Sequence, residues 1–222
     1  MIRNTRHYMA PVGLLGVTLL MLACGQESSD KSHSSASPRQ NEESREGTMY
    51  RAQLLPLNNI VAGASAGILD WEVRSAKTKV TLTMTNTPED MEHFQAIHSG
   101  SKCPTKSADG NSDGIIDMAE LEKVSGSMLF PLDSDLSSLE QGHFSRSRSN
   151  FFGNYVYYSE AENQRLRSIA SSQSPENRVV VVYGVNQSYN LPSSVFAKEG
   201  NRHRYVPISC GVIKARPQES LF

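Results

Sequence analysis

Between residues 49 and 216 the apolar positions come in short runs, and the clearest has a period of two. Lys79-Val-Thr-Leu-Thr-Met-Thr85 sets Val80, Leu82 and Met84 on one face and polar residues on the other, the pattern of a strand half-buried against a core. Residues 50–57 alternate more weakly, and residues 62–73 carry small side chains with Trp71. Further strands are predicted over 127–130, 154–158, the continuous apolar run 178–184, and 207–213. Gly, Pro, Asn and Ser separate these runs, so the pattern predicts a mainly β protein of consecutive antiparallel strands folded as a β-sandwich. Residues 160–172 hold Ala161, Leu166, Ile169 and Ala170 at loosely helical spacing, which predicts a short helix. The sequence has no internal repeat.

Upstream of this region the texture changes. Residues 25–48 are Ser, Glu, Gln, Lys, Arg and Pro with almost no apolar side chain, too little to offset the entropy of ordering. A flexible tether is expected there, with a reach of roughly 25–30 Å. Before it, Arg3 and Arg6 precede an apolar run over 9–22 that is too short for an ordinary membrane span. Met21-Leu-Ala-Cys24 follows and resembles a bacterial lipobox. Residues 1–23 are therefore expected to be a lipoprotein signal peptide and Cys24 the lipid anchor, with a plain secretory signal as the competing reading. Gly25 is not the Asp that retains such lipoproteins in the inner membrane of Gram-negative bacteria, so the resemblance implies attachment to the outer membrane. The expected organisation is signal 1–23, lipidated Cys and tether 24–48, domain 49–216 and tail 217–222.

Composition excludes more than it identifies. The chain has 222 residues, 38% of them hydrophobic, with 22 basic against 23 acidic side chains. Loss of residues 1–23 removes Arg3 and Arg6, leaving 20 basic residues against 23 acidic and a formal charge of −3. Nothing in this balance recommends nucleic acid as a partner, which would need clustered Lys and Arg. With Cys24 lipidated, Cys103 and Cys210 remain. In an oxidising compartment such a pair without Cys-x-x-Cys spacing suits a structural disulfide, two free buried thiols being the alternative.

The densest chemistry lies in Asp109-Gly-Asn-Ser-Asp-Gly-Ile-Ile-Asp-Met-Ala-Glu120. Oxygen-bearing side chains stand at the first, third, fifth and ninth places (Asp109, Asn111, Asp113, Asp117), Gly114 is sixth and Glu120 twelfth, the spacing of an EF-hand calcium loop. Ca²⁺ takes about six to eight oxygens, and alternate short side chains on a tight turn present several together. Ile115, at the seventh place, would offer its backbone carbonyl, and Ile116 would anchor the loop in apolar surroundings. Four carboxylates with no Lys or Arg among them repel one another unless a cation is present. An acidic turn that binds nothing is the competing reading. Gly100, Cys103 and Pro104 leave no room for a full entering helix, whereas residues 117–124 can form a short exiting one stopped near Gly126. A single EF-type loop inserted in another fold is expected to hold calcium structurally, with a dissociation constant on the order of 10⁻⁴–10⁻³ M, rather than to switch.

Four segments in order, Tyr50-Arg-Ala-Gln-Leu-Leu with residues 63–69, Ala96-Ile-His-Ser-Gly-Ser-Lys-Cys103, Arg178-Val-Val-Val-Val-Tyr183 and Ser209-Cys-Gly-Val-Ile213, resemble the copper/zinc superoxide dismutase Greek-key sandwich and its relative, the CHRD domain. The resemblance covers most of residues 49–216. It implies a Greek-key sandwich and places Cys103 and Cys210 where the family has its disulfide. It does not carry the copper chemistry. The first His of the His-x-His pair is Ala96, a later copper ligand is Tyr183, and the guiding arginine is Pro207. A copper center needs several imidazoles, so dismutase activity, catalytic residues, and copper or zinc as cofactors are not expected. A divergent copper-dependent dismutase or a periplasmic copper-handling protein built on His98 with His93, His143 or His203 is the alternative. His93 and His98, five apart, would point to opposite faces of a strand, and a satisfied surface or turn role is expected for them. Phe151, Phe152, Tyr155, Tyr157 and Tyr158 are expected to pack in a core or hairpin.

Overall fold

The computed structural model describes residues 47–133, 136, 147–163, 174–196 and 201–216. The expected signal peptide, Cys24, most of the tether, His143 and residues 164–172 of the expected helix lie outside these residues. Among the described residues there are nine strands: β1 (Thr48–Pro56), β2 (Ala66–Val73), β3 (Lys77–Thr85), β4 (Phe94–His98), β5 (Met128–Pro131), β6 (Tyr155–Glu162), β7 (Val179–Tyr183), β8 (Pro207–Val212) and β9 (Lys214–Ala215). Three short helices accompany them, α1 (Asn59–Ala62), α2 (Met118–Ser125) and α3 (Arg202–Tyr205), with a 3₁₀ turn at Lys106–Ala108.

The strands form one curled antiparallel sheet in the order β5-β4-β7-β8-β1-β2-β3-β6, with β9 paired to β1. β1 is the joint. Thr48 to Leu54 pair with β2, whereas Leu55 and Pro56 pair with Cys210 and Ser209 of β8. The sheet thus bends at β1, and its two halves enclose the main core. Val80, Leu82 and Met84 project inward from β3 as their alternation predicts, beside Ala52, Leu54, Leu69, Trp71, Tyr155 and Tyr157. Ile97, Phe130, Val180, Val182 and Ile208 meet them from the other half.

β4 and β7 are buried along their whole length because a second apolar layer covers their other face. Phe94, Ala96, Val179, Val181, Tyr183 and Cys210 pack there against Leu57, Ile116 and Leu121. The segment between β4 and β5 supplies Ile116 and Leu121, so the insertion with the acidic loop is itself part of a core.

Three local expectations are corrected. Only the start of the helix expected within 160–172 is corrected: residues 160–162 continue β6, since Tyr155, Tyr157 and Ser159 keep the inward alternation and Ala161 pairs with Thr78 of β3, and the helical backbone begins at Asn163. Residues 62–65 are not strand: α1 ends at Ala62, Gly63 takes a φ of 62°, and β2 starts at Ala66. The aromatic cluster is divided. Tyr155 and Tyr157 face the core, but Tyr158 lies on the outward face of β6, and Phe151 and Phe152 are 73% and 76% exposed at a turn.

Candidate calcium loop and the histidine positions

The acidic dodecapeptide begins after the 3₁₀ turn and ends in the first turn of α2, with no entering helix. Gly114 has a φ of 88°, the left-handed backbone that a sharp reversal needs and that glycine adopts without strain. Asp117 is the N-cap of α2. Its Oδ1 accepts from Glu120 N at 3.0 Å, and Asp117 N donates to Glu120 Oε2 at 3.1 Å, a reciprocal capping box. One Asp-x-x-Glu spacing therefore starts the helix and brings the ninth and twelfth places of the motif together.

Glu120 also closes the loop on its own beginning. Its Oε1 accepts from Gly110 N at 2.8 Å and Asn111 N at 3.3 Å. Asp109 accepts from Asp113 N and Gly114 N, and Asp113 Oδ1 accepts from Ile115 N. Asn111 Oδ1 accepts from Asp113 N, and its Nδ2 donates to Asp113 Oδ2. The side chains of the motif thus line up on the inner N–H groups of their own loop. Among the described residues no three His, Cys, Asp or Glu side chains stand together as a metal-ready set.

The chemistry of the donors fits Ca²⁺. All are oxygens, and an ionised carboxylate has about four lone-pair sites, of which the N–H bonds named above occupy one to three. Asp117 and Glu120 are 4% and 5% exposed. The ion pairs among the described residues, Arg51–Asp70, Arg74–Glu72, Lys77–Glu160 and Arg148–Asp90, use none of the loop carboxylates. Buried carboxylates without a basic partner are those a bound cation would stabilise most. Burial works to raise the Asp113 carboxyl, but hydrogen bonds from Ser194, Ile115 and Asn111 outweigh it and hold the group below its ordinary value, so it stays ionised.

Contacts distant in sequence hold the loop to the sandwich. Ile116 is buried in the second apolar layer as expected, and Ile115 enters the main core, so consecutive side chains anchor the loop on both sides. Asn58 bonds the backbone of Ile116, Ser194 Oγ donates to Asp113 Oδ2 at 2.5 Å, and Phe196 N donates to Asp117 Oδ2 at 2.7 Å. Cys103 and Cys210 form the disulfide, with Cα atoms 5.8 Å apart, and it ties the chain just before the loop to β8. Asn58, Ser194 and Phe196 had no signal in the sequence, because nothing local shows which groups will reach a loop 58, 79 or 81 residues away.

The histidines occupy different surroundings from those expected. His93 and His98 do point to opposite faces, but both are buried, at 1% and 0% exposed, not surface residues. His98 Nδ1 lies 2.8 Å from Gly126 O and Nε2 2.5 Å from the Tyr183 hydroxyl. His93 stacks on Tyr155, with its nitrogens at 3.1 Å from Tyr183 O and 3.0 Å from Pro88 O. Tyr183 thus meets one imidazole through its hydroxyl and the other through its carbonyl. Ala96 lies in the layer beside Tyr183. His203, on α3, contacts Tyr189 O through Nε2 at 2.7 Å. No protein-family model matches this chain, and no curated protein sequence matches it.

Proposed function

We propose that this protein is a calcium-binding lipoprotein of the bacterial cell envelope, anchored at Cys24 to the outer membrane, with a dismutase-like or CHRD-type sandwich in a binding or structural role. The observation that carries the calcium reading is the pair Asp117 and Glu120, two buried carboxylates with no basic partner among the described residues, at the ninth and twelfth places of an EF-hand pattern. The fixed attachments of the loop favour a structural ion over a sensor that opens. The neighbours β3–β6, β4–β7 and β8–β1, far apart in sequence, support a Greek-key sandwich. Ala96 and Tyr183 at the family's copper positions, with both nitrogens of His98 already engaged, speak for a non-catalytic role.

The test is thermal and chemical unfolding of the purified chain in millimolar calcium and in chelator. Binding to the folded state alone stabilises by RT ln(1 + [L]/Kd), about 1.4 kcal/mol at ten times Kd. Glu120→Gln is expected to abolish most of that increment. It also lowers stability in chelator, because Glu120 accepts from three backbone N–H groups. Identical unfolding in calcium and chelator would defeat the calcium reading. Anchoring is tested separately, since Cys24→Ala should release the protein from the membrane fraction.

A further inference from the structure

We propose that Asn58 is a positioning residue for the calcium loop, its side-chain amide gripping Ile116 as a neighbouring strand would. This rests on the calcium reading above. Asn58 lies between β1 and α1 with φ 52° and ψ 45°, a left-handed conformation that Asn tolerates better than most residues. Its backbone is fixed on both sides: Leu57 N donates to Ile208 O, and the Asn58 carbonyl accepts from Val61 N and Ala62 N.

The amide makes three bonds. Oδ1 accepts from Ile116 N at 2.8 Å, and Nδ2 donates to Ile116 O at 2.8 Å and to Pro207 O at 2.9 Å. Both donors are used and the oxygen faces an N–H, so the orientation is unambiguous: a flipped amide would set its oxygen against two carbonyls. A single side chain joins the acidic loop to the first residue of β8.

Peptide geometry carries this grip to the motif. The described chain has no cis peptide bonds, and in a trans peptide the C=O and N–H point in opposite directions. The Ile116 N–H shares its peptide plane with the Ile115 carbonyl, the seventh place of the motif. With the N–H held by Asn58, that carbonyl is turned away from Asn58. The Ile116 C=O shares its plane with Asp117 N, which donates to Glu120 Oε2 on the side opposite Asn58. Asn58 therefore sets two successive planes, one bearing the seventh-place carbonyl and the other holding the twelfth-place carboxylate. Groups that orient metal ligands in this way typically change affinity by about 10–100-fold when removed.

The experiment is calorimetric titration of the full chain with Ca²⁺, paired with hydrogen exchange at the Ile116 amide in chelator. Asn58→Gly removes the amide but keeps the left-handed backbone accessible. Asn58→Asp keeps an acceptor for Ile116 N and loses both donors, and it supplies the comparison if the glycine variant does not fold. Ser65→Ala is the control, since it deletes a hydroxyl whose single proton is shared between Ala62 O and Asn86 O, neither of them in the loop. The expected result is a Kd raised about tenfold or more in the Asn58 variants, faster Ile116 exchange in Asn58→Gly, and an unchanged Kd in Ser65→Ala. Wild-type affinity in the Asn58 variants, unchanged exchange in Asn58→Gly, or an equal loss in Ser65→Ala would overturn the positioning role and leave the calcium reading standing. A wild-type chain that binds no calcium would overturn both, before any variant is compared.

Discussion

The His98 and Tyr183 side chains constrain each other's protons. A carbonyl only accepts, so Gly126 O fixes the His98 proton on Nδ1 and leaves the Nε2 lone pair for the Tyr183 hydroxyl. Burial disfavours the imidazolium and outweighs the bond to Gly126, holding His98 below its ordinary value of 6.5. Burial lowers His93 as well, against the opposing pull of the Pro88 and Tyr183 carbonyls. A folded-state pKa below the unfolded one gives stability that is complete above the ordinary value and is lost as pH falls through the lowered one. The urea midpoint is therefore expected to decline from about pH 7 towards about pH 5, the range in which histidine changes charge. A flat profile over that range would contradict the buried neutral histidines. Tyr183→Phe leaves His98 Nε2 buried without a donor and should cost about 1–3 kcal/mol at neutral pH, read from the same midpoints.

Among the elements, α2 tests how local the acidic loop is. Asp117 accepts from Glu120 N within the helix and from Phe196 N outside it. Asp117→Ala removes a helix cap and should lower stability in chelator by about 1–2 kcal/mol, measured by urea unfolding. Asp117→Asn keeps an oxygen acceptor and should cost less. The helix was legible because Asp117, Glu120 and Gly126 are its start and stop within ten residues of sequence. β3 was legible for a related reason: one of its faces is buried, so Val80, Leu82 and Met84 alternate with exposed or half-buried residues. β4 carries no such pattern. Both faces are covered, and its buried positions include Gln95 and His98, whose hydrogen bonds to Leu132 O, Gly126 O and Tyr183 replace hydrophobicity as the basis for burial. Periodicity therefore predicts no strand over these residues. The loop's own spacing of acidic positions was equally plain in sequence, but the partners that hold it come from the 58 and 194–196 regions, where nothing local marks them.

For the whole molecule, the Cys103–Cys210 disulfide closes a sequence separation of 107 residues. In the chain-entropy account a closure of that size stabilises by about 4–5 kcal/mol, less any strain in the folded state. Cys103→Ser with Cys210→Ala should lower unfolding stability towards that amount, and a double variant as stable as the parent would show that the cross-link adds nothing. The bond lies where the insertion leaves β4, and the insertion returns to β5 after supplying Ile116 and Leu121 to the layer over β4, β7 and β8. That roof sets a limit on protein engineering. Excising residues 104–125 to obtain a minimal scaffold would strip the cover from Val179, Val181 and Tyr183 and leave an oily exterior on the sheet. The shortened product is expected to be a sticky, self-associating species, so this segment cannot be treated as a removable ornament.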